Sequence, residues 1–276
     1  MSIWGTDSMT FNQPNFIDPE FEEERRNNVR HLKSSPYFAD LSFEWLKIAG
    51  KHNYFYNFDW LGLPIIQVPH DVHALQEIIW RTQPDLIIET GVARGGSLIF
   101  SASMLALMDY CGASHKHSTL DPKQSQKKVL GIDIKIRDLN RKAIEAHPLS
   151  HLIDLREDSS TSTLTHEFVR EYCRKYQHVM VILDSNHTRE HVEEELNIYA
   201  PLVTKGNYCV VMDTSIDLLA AEDVVDRPWG PRNNPRQAVW QFLTTDFGRE
   251  SYEIDADIQA KISVTGAIDG FLHRKF

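Results

Sequence analysis

The stretch DLIIETGVARGGSLIF, residues 85–100, decides how the rest of the chain is read. Leu86, Ile87 and Ile88 run into an acid at Glu89, glycines follow at 91, 95 and 96, and apolar residues then return at helical density. That order predicts a buried strand, a tight turn and a helix, the opening of a parallel sheet with crossover helices. Outward from it the alternation recurs. Strands are predicted at VLGIDI (129–134), HLIDLRE (151–157), HVMVILD (178–184) and NYCVVMD (207–213), with helices over 96–112, 138–146, 164–176 and 189–203. The run 178–184 is the most continuous apolar segment, as expected of a central strand covered on both faces. Beyond it lie a Pro-rich loop, VDRPWGPRNNPRQ (225–237), a helix around 238–246, and two weaker strands, SYEID and GFLHRKF, suited to an antiparallel pair at the sheet edge. The predicted fold is α/β, a mostly parallel doubly wound sheet with an antiparallel edge.

Residues 1–80 differ in character. DPEFEEERRNNVRHLK is a charged amphipathic helix candidate, and the segment 37–71 is rich in aromatics. The reading is an N-terminal extension, a cap or a subunit interface of a homo-oligomer, ahead of a ligand-binding domain over 81–276. Residues 112–128 are polar and turn-rich, hence a surface insertion in which His115 and His117 are expected to be solvated.

Composition narrows the function. The chain has 276 residues, with 29 Lys and Arg against 39 Asp and Glu, a formal charge of −10 with no long basic run. Nucleic-acid binding is disfavoured, because phosphate neutralisation needs clustered Lys or Arg. No run approaches 18 uninterrupted apolar residues, so no membrane span is expected. The opening MSIWGTDSMTFNQPNF lacks the basic and apolar regions of a secretory leader, and a cytoplasmic location is expected. Cys111, Cys173 and Cys209 sit apart in apolar segments and read as reduced core residues.

The polar residues point to a site. Each of the five predicted parallel strands ends at or near an acid: Glu89, Asp133, Asp158, Asp184 and Asp213. Ligands of open parallel sheets bind beyond the carboxyl ends of the strands, so these acids outline a rim. Gly91, Gly95 and Gly96 give G-x-x-x-G-G rather than the G-x-G-x-x-G of dinucleotide sites, which argues against a pyrophosphate on this loop. Asp133 is placed to accept hydrogen bonds from a ribose diol. A ribose-bearing ligand without pyrophosphate fits, and S-adenosylmethionine is such a ligand. A nicotinamide-dependent oxidoreductase and a non-catalytic sugar- or nucleotide-binding protein are the alternatives.

With IIETGVARGGSLIF, VLGIDI, VILDSNHTREHVEEEL, YCVVMDT and the closing GFLHR in hand, the chain resembles the class I methyltransferases with their Rossmann-like fold. More narrowly it resembles the cephalosporin hydroxylase-like family, which includes rhamnosyl O-methyltransferases. The resemblance runs from about residue 85 onward. It implies methyl transfer from S-adenosylmethionine to a hydroxyl of a sugar, a glycan or another hydroxylated small molecule, a carbohydrate modification. It also implies that Glu89, Gly91, Gly95 and Ser97 line the methionine end of the cofactor, Asp133 the ribose, and Asp158 with Ser159 the adenine side.

HTREH, residues 187–191, matches the His-x-x-Glu-His pattern of zinc proteases. That chemistry needs both histidines in one helix, whereas His187 falls in a loop before the helix N-cap and only His191 is helical. His191 reads as solvent-facing beside Glu194 and Glu195. His187 has different neighbours. Asp184 and Asp213 end consecutive strands, and adjacent strands lie about 4.8 Å apart. Two carboxylates that close repel unless a cation lies between them, and a hard ion such as Mg²⁺ suits oxygen ligands. The resemblance supports a metal at Asp184 and Asp213 and a histidine at 187 near the acceptor, so His187 and Asp184 are the catalytic candidates. The family often carries Glu-Asp here, whereas Met212 precedes Asp213 and removes one carboxylate. Trp229, Arg232, Asn233, Asn234 and Arg236 supply a ring and donors for a polar acceptor, or else form a Pro-stiffened connection.

Overall fold

The computed structural model describes residues 18–275. The reading of the first sixteen residues as lacking a secretory leader lies outside them. In chain order the elements are α1 (Pro19–Lys33), α2 (Pro36–Lys51), β1 (Phe58–Trp60), β2 (Leu63–Ile65), α3 (Pro69–Thr82), β3 (Leu86–Thr90), α4 (Gly96–His115), β4 (Lys128–Asp133), α5 (Asp138–Ala146) and β5 (Ile153–Glu157). They continue with α6 (Thr163–Cys173), β6 (Val179–Leu183), α7 (Arg189–Tyr199), β7 (Tyr208–Val211), α8 (Pro235–Thr244), α9 (Asp246–Ser251), β8 (Tyr252–Ile254), α10 (Ala256–Ile262) and β9 (Phe271–Arg274).

Seven strands form one sheet in the order β5-β4-β3-β6-β7-β9-β8. The first five are parallel, and β9 and β8 join antiparallel, as the two weak C-terminal strands predicted. Strand order reverses between β3 and β6, so the loops that leave these two strands flank the ligand crevice of such a sheet. Every residue of β3 and of β6 is buried, and successive side chains go to opposite faces. Ile87, Met180 and Ile182 join a core shared with α3, α4 and α10, while Leu86, Ile88 and Val181 join one shared with α6, α7 and α8.

Leu63 and Ile65 of the β1–β2 hairpin and Ile78 and Ile79 of α3 lie in the first of these cores, so residues 63–79 pack with the sheet itself. Neither the hairpin nor α3 and α10 was legible beforehand. α4 is long and apolar enough by length and composition to cross a membrane, but more than half of that window is buried against the rest of the protein, as in a core helix. The helix expected around 238–246 begins earlier and splits. Asn234 accepts from the Gln237 N–H and Pro235 occupies the first turn, which starts α8, and Thr245 caps α9 by accepting from the Gly248 N–H. α7 stops short of residue 203 because Pro201 cannot continue an α-helix. Cys173 and Cys209 are buried free thiols and Cys111 is partly buried, as expected.

Candidate active site

The glycine turn is shaped by close approaches. Gly91 has φ of +90°, and a Cβ there would lie 2.0 Å from the Asp184 carbonyl oxygen, so only glycine lets the exits of β3 and β6 touch. Gly95, at φ +89°, caps α4 where a Cβ would meet Ile144 at 2.5 Å. Asp133 pins the same turn: Oδ2 accepts from the Val92 N–H at 2.9 Å and the Ala93 N–H at 3.4 Å, while Oδ1 accepts from the Lys135 N–H at 2.9 Å. Beneath the turn Glu89 is fully buried. Ser97 of α4 donates to its Oε1, and its Oε2 has no partner. Burial pushes this carboxyl from 4.5 up to about 7, against the lowering effect of the serine. A buried carboxylate oxygen with nothing to bond is costly, and an ammonium group would relieve it.

A cavity of about 460 Å³ lies over these strand ends, lined by Gly91, Asp133, Ser159, His187, His191 and Trp229 among others. Asp158 is not on its wall. Its Oδ2 accepts from Arg156, Ser162 and Thr165 and its Oδ1 from the Ser159 N–H, bonds that hold the carboxyl below its usual range, Thr165 first. Ser159, expected with Asp158 on the adenine side, and Ser160 are presented to the cavity by the locked turn. His191 also departs from expectation. It is not solvent-facing: Nε2 lies 3.1 Å from Ser160 Oγ, 3.2 Å from Ser185 Oγ and 3.4 Å from the fully buried Glu195. Its hydrogen bond to Glu195 raises the imidazole above its ordinary value.

The other acids meet where β6 and β7 end. The two strands are hydrogen-bonded neighbours, as the metal argument required. Burial first, then the charges of Asp213 and Glu89, raises Asp184 well above the carboxylate range, and the side chain of Gln67 acts in the opposite direction. Asp213 has φ of +56°, a left-handed conformation that a non-glycine residue adopts at a cost and that recurs at functional sites. Its Oδ2 lies 3.1 Å from His187 Nδ1. The imidazole in turn meets the Trp229 ring edge-on, 5.5 Å between centroids. His187 precedes the Thr188 N-cap of α7 while His191 is inside it and bonded elsewhere, so HTREH does not grip one metal. Among the described residues no three His, Cys, Asp or Glu side chains form a metal cluster. An ion at Asp184 and Asp213 would draw its remaining ligands from other oxygens.

A second cavity, about 380 Å³, opens on the far side of Asp213 between α2 and the loop after β7. Arg227 and Trp229 border both cavities, so the two adjoin. Phe43, Phe55 and Tyr56 give the second one aromatic walls, and Lys47, Lys51 and Asp223 add charge. The Pro-rich loop divides its residues. Trp229 faces the cavities, with Arg227 over its ring at 5.5 Å. Asn233 bonds the Arg189 N–H and the Pro228 carbonyl, Asn234 bonds Asp217 and the Gly230 carbonyl, and Arg236 bonds Asp217 and Asp269. These three hold the loop in place. Gln67, Ser160 and Arg227 were missed. For Gln67 a signal existed, a lone amide in the apolar run LPIIQVP.

The sequence profile of the Rhamnosyl O-methyltransferase/CmcI family matches residues 52–275. The chain belongs to this family. Its similarity extends well ahead of residue 85 and takes in the hairpin, Gln67 and α3. A curated relative, the rhamnosyl O-methyltransferase of Mycobacterium leprae (strain TN), is 30% identical over 219 residues, 78% of this chain and 82% of the relative. The protein of the same name from Mycobacterium tuberculosis (strain H37Rv) is 28% identical over 230 residues, 81% and 83% of the two chains. Among solved structures, CmcI with Mg and SAM superposes with a TM-score of 0.51 at 18% identity, covering 80% of this chain and 78% of that one. CmcI with SAH gives 0.51 at 19%, covering 80% and 84%. At such identities the structures speak for the fold alone.

Proposed function

We infer that this chain is an S-adenosylmethionine-dependent O-methyltransferase that acts on a hydroxyl of a sugar or another hydroxylated small molecule, assisted by a divalent cation, Mg²⁺. The observation that carries the reading is the buried, unpaired Oε2 of Glu89 beneath a glycine turn in this family, whose Gly91 lines a cavity with His187 that adjoins a second, aromatic one at Asp213. Curated relatives bear the name rhamnosyl O-methyltransferase, and CmcI structures are described as holding Mg with SAM, or SAH. No observation favours the nicotinamide alternative.

The residues fit both groups. Glu89, with Ser97, would take the methionine ammonium, and Asp133, Ser159 and Ser160 the nucleoside end. Asp184 and Asp213, adjacent and mutually repelling, would hold the cation, which supplies positive charge that makes a nearby hydroxyl more acidic. The cofactor supplies a methyl group on a sulfonium, already electrophilic. What remains for the chain is alignment and proton removal. Asp213 engages Nδ1 of His187 and so fixes the ring with Nε2 free to accept the hydroxyl proton. Trp229 buttresses that ring. Residues 81–276 carry the cofactor, while α2 from the 1–80 region forms one wall of the acceptor cavity.

Calorimetric titration with S-adenosylhomocysteine, with NAD as control, tests the cofactor. Mass spectrometry of a rhamnosyl glycoside incubated with enzyme and S-adenosylmethionine tests the acceptor. Binding of the nucleoside product and a mass gain of one methylene unit are expected. NAD binding in its place would overturn the reading.

A further inference from the structure

Gln67 follows β2 and is 6% exposed, yet neither its Nε2 nor its Oε1 has a hydrogen-bond partner. Buried amides are nearly always bonded at both ends, so one that is idle at both in a cavity wall is shaped for a ligand. The residue lines the acceptor-side cavity together with Asp213 and lies beside the Asp184 carboxyl. It thus brings a side-chain amide, from the hairpin connection, to the two carboxylates that end β6 and β7. No third His, Cys, Asp or Glu completes that pair among the described residues, and Met212, next to Asp213, is buried in the apolar core. A hard divalent cation takes side-chain amide oxygens as ligands alongside carboxylates and water.

We propose that the side-chain oxygen of Gln67 is the third protein ligand of the divalent cation held by Asp184 and Asp213. The proposal rests on the cation reading above. It accounts for an amide that acts on the Asp184 carboxyl without a well-formed hydrogen bond at either end, and it makes the N-terminal hairpin part of the metal site as well as of the acceptor cavity.

The test is Mn²⁺ binding to the full chain, followed by electron paramagnetic resonance, for wild type, Gln67→Leu and Gln67→Glu. S-adenosylhomocysteine titrations in EDTA run alongside on the same three proteins. Loss of the oxygen should weaken Mn²⁺ binding at least about tenfold, and a third carboxylate should tighten it by a similar factor. The EDTA titrations should be alike, which also shows that the variants fold; Gln67→Glu carries the test alone if Gln67→Leu does not fold. Mn²⁺ affinities unchanged in both variants would overturn the proposal. So would an altered affinity for the nucleoside in EDTA with Mn²⁺ binding intact, which would make Gln67 a cofactor contact. A wild-type chain that binds the nucleoside but not Mn²⁺ would remove the cation and this role together and leave methyl transfer standing. A chain that binds neither would sink the methyltransferase reading itself.

Discussion

At the β4 and β5 ends of the rim, Asp133 and Asp158 have their oxygens engaged by backbone N–H groups and neighbouring side chains. At the β3 and β6 ends the acids are frustrated, and at the β7 end the carboxylate meets His187 from a strained backbone. Glu89 keeps an unpaired oxygen, Asp184 is driven above the carboxylate range by burial and by Asp213, and Asp213 is held in a left-handed backbone. All five acids look alike in the sequence. The difference teaches that satisfied acids build the walls of the cleft and unsatisfied ones wait for charge from a ligand.

The largest effect should come from the frustrated half. Replacing His187 by alanine is expected to lower kcat by a hundredfold or more, because the group proposed to accept the proton from the first cavity is gone. Calorimetry should find S-adenosylhomocysteine bound as before. Equal losses in turnover and cofactor affinity would instead place His187 in the cofactor cavity.

Next in size is Glu89→Gln. The expected loss in affinity for S-adenosylhomocysteine is about tenfold to a hundredfold, since a charge-assisted bond to an ammonium is replaced by a neutral one. The same variant should be more stable without ligand. Burial raises the native carboxyl to about 7 from 4.5, so the unfolded chain ionises first as pH rises. Stability is full below about 4.5, declines between about 4.5 and 7, and stays lower above that, by about 3 kcal/mol for this shift. Thermal unfolding at pH 8 should therefore show Glu89→Gln melting above wild type, with little difference at pH 4. Binding of the ammonium requires the ionised carboxylate, so wild-type affinity should fall as pH drops below about 7. A variant equally stable at both pH values would mean that the carboxylate is already satisfied.

How much of this could be read beforehand follows from where each signal resides in the chain. The strand–turn–helix at 85–100 is written in consecutive residues, and its glycines are demanded by close contacts, so both the fold and the turn were legible. The pairing of Asp184 with Asp213 followed once adjacent strands were assumed. What escaped depends on contacts between distant segments. Gln67 reaches the acids from a hairpin with three-residue strands, too short to show periodicity. His191 sits among acids in the sequence and was read as exposed, whereas Ser160 and Ser185 from two other loops enclose it. The donors of 233–236 resemble an acceptor site in composition but are engaged within the loop.

The acceptor side yields a smaller, more selective effect. Trp229→Ala should raise the acceptor KM about tenfold, in the range of a lost aromatic contact, while affinity for S-adenosylhomocysteine changes little. Steady-state kinetics at saturating cofactor would show it, and a fall in kcat with KM unchanged would mean that the ring serves only to hold His187.

The smallest effect is expected from Asp158→Asn, and it sharpens the contrast most. The sequence gives Asp158 the same standing as Asp184, yet its carboxylate faces Ser162 and Thr165 and stays off the cavity wall. An asparagine keeps one acceptor oxygen for these donors and leaves the Ser159–Ser160 turn near its place. Affinity for the nucleoside should stay within about threefold of wild type, with a small loss of stability from the weakened turn. If instead the variant lost cofactor binding as severely as Glu89→Gln, a satisfied acid would matter as much as a frustrated one. The division of the rim into walls and waiting groups would then fail.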